Sequence, residues 1–122
     1  MNRNKSFPRR FLKSFLFILL ISSGRVEASS VHPAETYYNW ANDYYLRGET
    51  QKSLENLEIF LKLRPRDAEA LYNFACLKLR KGEFVEAEGY FLKALEGSPS
   101  QTLTPKINEA LLWLKDLRTH SF

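Results

Sequence analysis

The chain contains the same sequence pattern twice, and this repetition limits the possible folds more than any other feature. Residues 34–65 and 68–99 are identical at nine of 32 aligned positions. The identical pairs are Ala34/Ala68, Glu35/Glu69, Tyr38/Tyr72, Asn39/Asn73, Ala41/Ala75, Gly48/Gly82, Glu49/Glu83, Leu61/Leu95 and Pro65/Pro99. A repeat of this kind indicates a stack of similar structural units rather than one irregular core.

Each unit has the pattern of two helices joined by a tight turn. In the second unit, apolar residues recur at helical spacing on both sides of Gly82. Gly82 is suited to end the first helix in a left-handed conformation, and Pro99 stops the second helix shortly after Gly97. Because Gly48 and Pro65 hold the same places in the first unit, the pattern predicts a second hairpin of the same kind.

A helical hairpin repeated with a period of about 34 residues resembles the tetratricopeptide repeat family. The resemblance covers residues 34–99, and the second copy matches better, with the family's characteristic positions held by Gly82, Ala87, Phe91, Ala94 and Pro99. It implies an all-α fold of five helices, in which two such repeats (34–67 and 68–101) and a capping helix form a short right-handed stack.

Three departures limit the resemblance. Phe60 is large where Ala94 is small, and Lys78 stands where the first copy has the aromatic Tyr44. A lysine there must extend its charge to solvent along an apolar stem. Two repeats are also fewer than the three usually needed for independent stability. We expect the C-terminal helix to offset part of that shortfall by covering one end of the stack.

The predicted helices follow from these stop and start signals. The first pair is expected over about 33–47 and 50–63, and the second over about 68–81 and 84–96. Asp67 is a suitable N-cap for the third helix. Thr104 and Pro105 are expected to begin a fifth helix, the capping helix over 104–118, with one apolar stripe along it. Residues 29–33 form a short lead-in.

Residues 1–28 are typical of a secretory signal peptide. A basic start precedes the apolar run 15–21, and Val26-Glu27-Ala28 offers a small-residue cleavage site before Ser29. The alternative is an uncleaved membrane anchor, although Lys13 and Arg25 bracket fewer apolar residues than the roughly 20 that span a bilayer. We therefore expect an exported protein, periplasmic or secreted, with any membrane contact made through this segment.

The positive net charge belongs to that N-terminal segment. The whole chain carries a net charge of +4, but residues 29–122 contain 12 basic and 13 acidic side chains. A nucleic-acid-binding domain concentrates basic residues on one surface. The charge balance of residues 29–122 therefore argues against a nucleic-acid partner.

Residue patterns for catalysis, metal binding or cofactor binding are missing from the sequence. The histidines, His32 and His120, lie near either end of the predicted repeats and have no patterned carboxylate or thiol around them. Cys76 is the single cysteine, so it is either a small buried apolar residue or a thiol available to a second chain. We expect no enzymatic activity, no cofactor and no metal.

The surface that remains for function lies on the first helix of each hairpin. On each of these helices, one lengthwise stripe of side chains is expected to pack against the second helix of the hairpin. A second stripe at helical spacing runs along the same helix beside the first. In the tetratricopeptide family that second stripe faces a peptide groove. The resemblance therefore implies a groove lined by Tyr38, Asn42, Tyr45, Tyr72, Cys76 and Arg80. An aromatic stripe is also typical of a protein core, and that alternative stays open.

The resemblance implies a protein or peptide partner held in this groove by a small adaptor or assembly factor. Some family members clamp a partner's C-terminal carboxylates with paired lysine and asparagine side chains. Asn42 is present here, but Cys76 holds the matching place and no groove lysine accompanies it, so we exclude that mode. The alternative function is a structural, self-associating repeat protein.

Overall fold

The computed structural model describes residues 32–120, and the described part is all-α. Its helices are α1 (Ala34–Leu46), α2 (Thr50–Leu63), α3 (Ala68–Arg80), α4 (Phe84–Glu96) and α5 (Leu103–Thr119). The predicted signal peptide, its cleavage site and most of the lead-in lie outside the described residues. Among residues 32–120, no helix is long and apolar enough to cross a membrane.

Each helix packs mainly against its neighbours in sequence, and the closest pairs are α1 with α2 and α3 with α4. Two antiparallel hairpins followed by a fifth helix are consistent with a tetratricopeptide-like repeat. The predicted fold class and the order of the five helices are therefore confirmed.

The turns inside the two hairpins are built alike around a glycine. Gly48 and Gly82 each have a φ of 79°, in the left-handed region that a Cβ disfavours. After Gly82, the N–H of Glu83 donates to the carbonyl of Lys78, and the N–H of Gly82 donates to that of Leu79. This pair of bonds is the Schellman arrangement, which satisfies carbonyls left open at a helix end. The prediction made for Gly82 is confirmed.

The two hairpins are joined by a short connection that also touches the end of α4. Asp67 caps α3 as predicted, because its Oδ1 accepts from the N–H of Ala70 at 2.9 Å. The carbonyl of Arg66 approaches Gly97 so closely that a Cβ at residue 97 would lie 2.5 Å from that oxygen. Glycine is therefore required at this position by close packing rather than by its backbone angles.

Helix α5 begins at Leu103, slightly earlier than the Thr104–Pro105 start that the sequence pattern favoured. The hydroxyl of Ser100 accepts from the N–H of Leu103, and the Thr104 hydroxyl donates to the carbonyl of Ser100. The first bond satisfies the N–H of Leu103, and the second holds the side chain of Thr104 against Ser100. Pro105 then lies inside the first turn, where its missing N–H costs nothing because no intrahelical acceptor exists there.

The core divides into two clusters, and α3 contributes side chains to both. The first contains Leu54, Leu57, Phe60, Phe74 and Leu77 among its buried members. The second gathers side chains from α3, α4 and α5, and its buried members are Leu71, Ala75, Ala87, Phe91, Ala94, Ile107 and Leu114. Helix α5 thus completes the core of the second hairpin, as expected for a capping helix.

Candidate functional site

Helices α1 and α3 lie side by side and run in the same direction. Near their N-terminal ends, the Asn73 amide donates to the Tyr38 hydroxyl over an Nδ2–Oη distance of 2.8 Å. Near their C-terminal ends, the Arg80 guanidinium lies 4.5 Å from the centre of the Tyr45 ring. These two contacts join repeat 1 (34–67) to repeat 2 (68–101) and bound the surface between them, which we call the α1–α3 groove.

The groove contains a pocket of about 310 Å³. Four residues predicted from the sequence line it: Asn42, Tyr45, Tyr72 and Cys76. The other lining residues are Ala41, Ser53, Leu57, Asn73 and Leu77. Because Ser53 and Leu57 belong to α2, the pocket extends below the groove surface into the packing between the helices.

The two remaining predicted residues stand beside the pocket rather than in its wall. The half-buried Tyr38 ring packs against Phe60, with ring centres 5.0 Å apart. Its hydroxyl is held by Asn73. Arg80 is exposed and reaches the pocket only through its contact with the ring of Tyr45. Tyr38 therefore has a structural part in joining the repeats, and Arg80 contributes a charge at the rim.

Five lining residues were not predicted for the groove from the sequence: Ala41, Ser53, Leu57, Asn73 and Leu77. A signal existed for Asn73, since it is one of the nine repeated identities and adjoins Tyr72. A signal also existed for Ser53, which the alignment of the two repeats pairs with the small residue Ala87. The buried Ser53 hydroxyl donates to the carbonyl of Ala41 at 2.7 Å, so its polarity is satisfied within the protein.

Burial controls the ionisation of Tyr38, Tyr72 and Cys76. Burial of the Tyr38 hydroxyl, followed by the nearby Glu69 and Asp67 carboxylates, raises the pKa of Tyr38 to about 12. Burial, followed by the neighbouring Cys76 and then Glu109, raises the pKa of Tyr72 to about 12. Burial also raises the pKa of the Cys76 thiol. At neutral pH the groove therefore presents hydroxyl, amide and thiol groups without charge.

These groups are suited to holding a ligand through hydrogen bonds. In the part of the chain that the structure describes, no three His, Cys, Asp or Glu side chains are grouped so that they could hold a metal ion. Amide and hydroxyl groups around an apolar pocket can orient a ligand through hydrogen bonds while its apolar part is buried. The arrangement offers such a site between the two repeats.

A second surface carries exposed apolar side chains at the start of α4 and along α5. We call Phe84, Val85 and Trp113 the α4–α5 patch; their exposed fractions are 41%, 85% and 48%. The Phe84 and Trp113 rings meet edge to face with centres 6.2 Å apart. The sequence pattern does not distinguish this patch, because Phe84 holds an apolar position of the repeat and α5 is expected to act as a cap.

No model of a known protein family matches the chain, and a search of curated proteins gives no match either.

Proposed function

We propose that the chain is an exported, non-enzymatic binding module of the tetratricopeptide type that holds a protein or peptide partner in the α1–α3 groove. The repeated sequence and the two matching hairpins support this assignment. The observation that carries it is the pocket itself, which opens between the first helices of the two repeats and is lined by Asn42, Tyr45, Tyr72 and Cys76. The proposal assigns no catalytic residue, cofactor or metal.

Two substitutions at exposed groove positions test the groove. Tyr45 is 44% exposed and Asn42 is exposed, so changing them to Ser and Ala removes groove contacts but little core packing. Tyr45→Ser also removes the ring that Arg80 contacts, so circular dichroism checks the fold of the variant. We expect Tyr45→Ser/Asn42→Ala to lose the partner captured from the envelope fraction, with unchanged circular dichroism. Trp113→Ser, outside the groove, is the control and should retain it. Retention of the partner by the groove variant would contradict the proposal.

Tyr38 is not used in this test, although it belongs to the groove predicted from the sequence. Its ring packs on Phe60 and its hydroxyl accepts from Asn73. Replacing it by Ser would therefore remove packing between the repeats as well as groove surface, and lost binding would not distinguish the two.

The export part of the proposal rests on the N-terminal sequence. A basic start, an apolar run and Val26-Glu27-Ala28 support a cleaved signal peptide and a mature protein that begins at Ser29, in a periplasmic or secreted location. Mass spectrometry of the exported protein should find Ser29 at the N-terminus. An intact product that sediments with membranes would instead establish the membrane anchor.

A second candidate function is self-association through the α4–α5 patch. Val85 is 85% exposed beside two aromatic rings, and clustered apolar surface of this kind often marks an interface. The molar mass of the purified chain tests it, with Val85→Ser as the variant because this residue buries little surface. A dimer that Val85→Ser converts to a monomer would establish self-association, and a monomeric parent would exclude it.

A further inference from the structure

We propose that the α1–α3 groove selects peptides carrying one large uncharged apolar side chain with an Asp or Glu within two residues of it. This inference rests on the proposed function, since it specifies which peptide chemistry the groove prefers. It follows from the size of the pocket, the lack of charge in its lining and the position of Arg80.

The pocket has the size and surface for one apolar anchor. Its volume of about 310 Å³ is at the lower end of ligand pockets, which start at about 300 Å³. No Lys, Arg, Asp or Glu lines it. Its two deeper polar groups are already engaged, because Ser53 donates to Ala41 and the Asn73 amide donates to Tyr38. A charged side chain placed there would lose its hydration without gaining a counter-ion.

The rim supplies a positive charge at one side. Arg80 lies against Tyr45, a pocket residue, and within residues 32–120 no carboxylate lies within ion-pair distance of it. Its basic neighbours differ, because Arg47 pairs with Asp43 at 2.6 Å and Lys81 pairs with Glu83 at 3.6 Å. The charge of Arg80 is therefore available to a ligand's carboxylate.

The opposite end of the groove carries both signs of charge. Glu69 and Asp67 lie near Tyr38, but Arg64 pairs with Glu35 at 2.9 Å and lies 6.0 Å from the centre of the Phe60 ring, on which Tyr38 packs. A ligand carboxylate is therefore favoured at the Arg80 end, where the guanidinium has no carboxylate partner among residues 32–120. This difference favours one orientation of a peptide along the groove.

The spacing between anchor and carboxylate follows from helix geometry. Cys76 in the pocket wall and Arg80 at the rim are one helical turn apart on α3, a rise of about 6 Å. Two residues of an extended peptide span about 7 Å. The acidic residue therefore reaches Arg80 when it lies within two positions of the apolar anchor.

A randomised heptapeptide display library tests this preference directly. The chain, immobilised through a C-terminal tag, should enrich sequences that combine Leu, Met, Phe or Trp with Asp or Glu within two positions. If the enriched peptides lacked the apolar residue or the acidic residue, this inference would be overturned, but the groove would still be a site that binds peptides. No enrichment over a blank support would overturn both this inference and peptide binding in the groove.

Charge reversal at the rim provides the matched test. Arg80→Glu should weaken the enriched acidic peptides about tenfold, because it removes one solvent-accessible charge pair worth about threefold and adds a repulsion of similar size. It should favour copies in which Lys replaces the acidic residue. Lys62→Glu, an exposed reversal in the last turn of α2, is the control and should leave the peptide preference unchanged. Equal effects of the two reversals would show a general charge effect and overturn the role of Arg80.

Discussion

Repeat 1 and repeat 2 share one backbone plan but fill their hairpins with different side chains. Both place an aromatic ring of the second helix against the repeated tyrosine of the first helix. In repeat 1, Tyr38 packs on Phe60, with ring centres 5.0 Å apart. In repeat 2, Tyr72 packs on Phe91, with ring centres 5.6 Å apart. The alignment of the repeats matches Phe91 with Leu57, so the phenylalanine has moved by almost one helical turn.

A small residue in repeat 2 compensates for this shift of the phenylalanine. Where repeat 1 has Phe60, repeat 2 has Ala94, which is fully buried in the same cluster as Ile107 of α5. A small residue on α4 and a large one on the capping helix thus share the cluster. The comparison shows that a hairpin of this kind preserves total packing rather than residue size at each position.

This interpretation can be tested by giving one repeat the residue that the other repeat has at the aligned position. The largest effect is expected for Phe60→Ala. The change gives α2 the small residue of α4 but leaves Leu57 too small to fill the space. Truncating a buried phenylalanine typically costs about 3–5 kcal/mol of unfolding free energy. Chemical denaturation followed by circular dichroism measures it.

The control for Phe60→Ala is Ile59→Ala, at the adjacent position and 38% exposed. It should cost clearly less, because its side chain leaves less buried volume when removed. If the two losses were equal, Phe60 would not be a principal packing residue of the first hairpin.

The converse change, Ala94→Leu, is expected to have the next largest effect. It adds three carbons at a fully buried position, where neighbouring side chains already fill the surrounding space. Overpacking of this kind costs about 1–3 kcal/mol. Ala68→Leu, at the partly exposed first residue of α3, is the control and should change the melting temperature little. A similar loss at both positions would contradict the assigned repeat register.

The two repeated tyrosines behave alike, and this similarity predicts a loss of stability at high pH. The pKa of Tyr38 and that of Tyr72 are each raised to about 12 in the folded chain, from about 10 in an unfolded chain. Because the folded pKa is the higher one, their contribution is complete below pH 10 and is lost as the pH rises through 12.

Absorbance titration of the phenol groups checks this prediction. The folded chain should contain phenol groups that ionise near pH 12, and in urea these groups should ionise near pH 10. Tyr38→Phe and Tyr72→Phe should each remove one group that ionises near pH 12. If neither variant removed such a group, the two hydroxyls would not be shielded in the folded chain.

A small buried residue on the second helix of each hairpin also differs between the repeats. Ser53 donates to the carbonyl of Ala41. In repeat 2 the alignment matches these residues with Ala87 and Ala75, which are buried in one cluster. Ser53→Ala should cost about 1 kcal/mol, the usual contribution of one hydrogen bond. Ala87→Ser should cost no more than that, since the Ala75 carbonyl offers the same acceptor. A much larger cost for Ala87→Ser, measured by denaturation, would show that the two hairpins do not share this geometry.

The sequence predicted the helices better than it predicted the pocket. Helix ends followed from local signals such as Gly82 and Asp67, and the observed ends of the first four helices differ from the predicted ones by at most one residue. Local signals decide where a helix ends because they satisfy its own backbone groups. The early start of α5 depended on bonds from Ser100, which a Thr-Pro pattern does not reveal.

The pocket depends on contacts between helices that periodicity alone does not specify. The repeated stripe brought Asn42, Tyr45, Tyr72 and Cys76 together as expected. It did not reveal that Ser53 and Leu57 lie beneath them, because the depth of the pocket depends on how α2 packs below α1 and α3. The α4–α5 patch escaped prediction for the same reason, since exposure depends on which neighbour covers each helix.

The smallest expected effect concerns a position where the two repeats use opposite chemistry. In repeat 1 the ring of Tyr44 has the Lys52 ammonium 5.5 Å from its centre. In repeat 2 the matching residues are Lys78 and Glu86, whose Nζ and Oε1 atoms lie 3.1 Å apart. Glu83 also pairs with Lys78 at 2.9 Å, and this hydrogen bond is the main reason that the pKa of Lys78 is raised.

A double-mutant cycle between Lys78→Tyr and Glu86→Lys measures whether these two arrangements are equivalent. Glu86→Lys alone places a second cation beside Lys78, and Lys78→Tyr alone leaves Glu86 without its cation. The double variant recreates the pair found in repeat 1. It should therefore be more stable than the sum of the single changes by about 0.5–1 kcal/mol, the size of an exposed ion pair or cation–π contact. A control cycle pairs Glu86→Lys with Lys62→Tyr, at the far end of the other hairpin, and should be additive. Additivity in the first cycle as well would show that the two repeats differ here without any coupling between the paired residues.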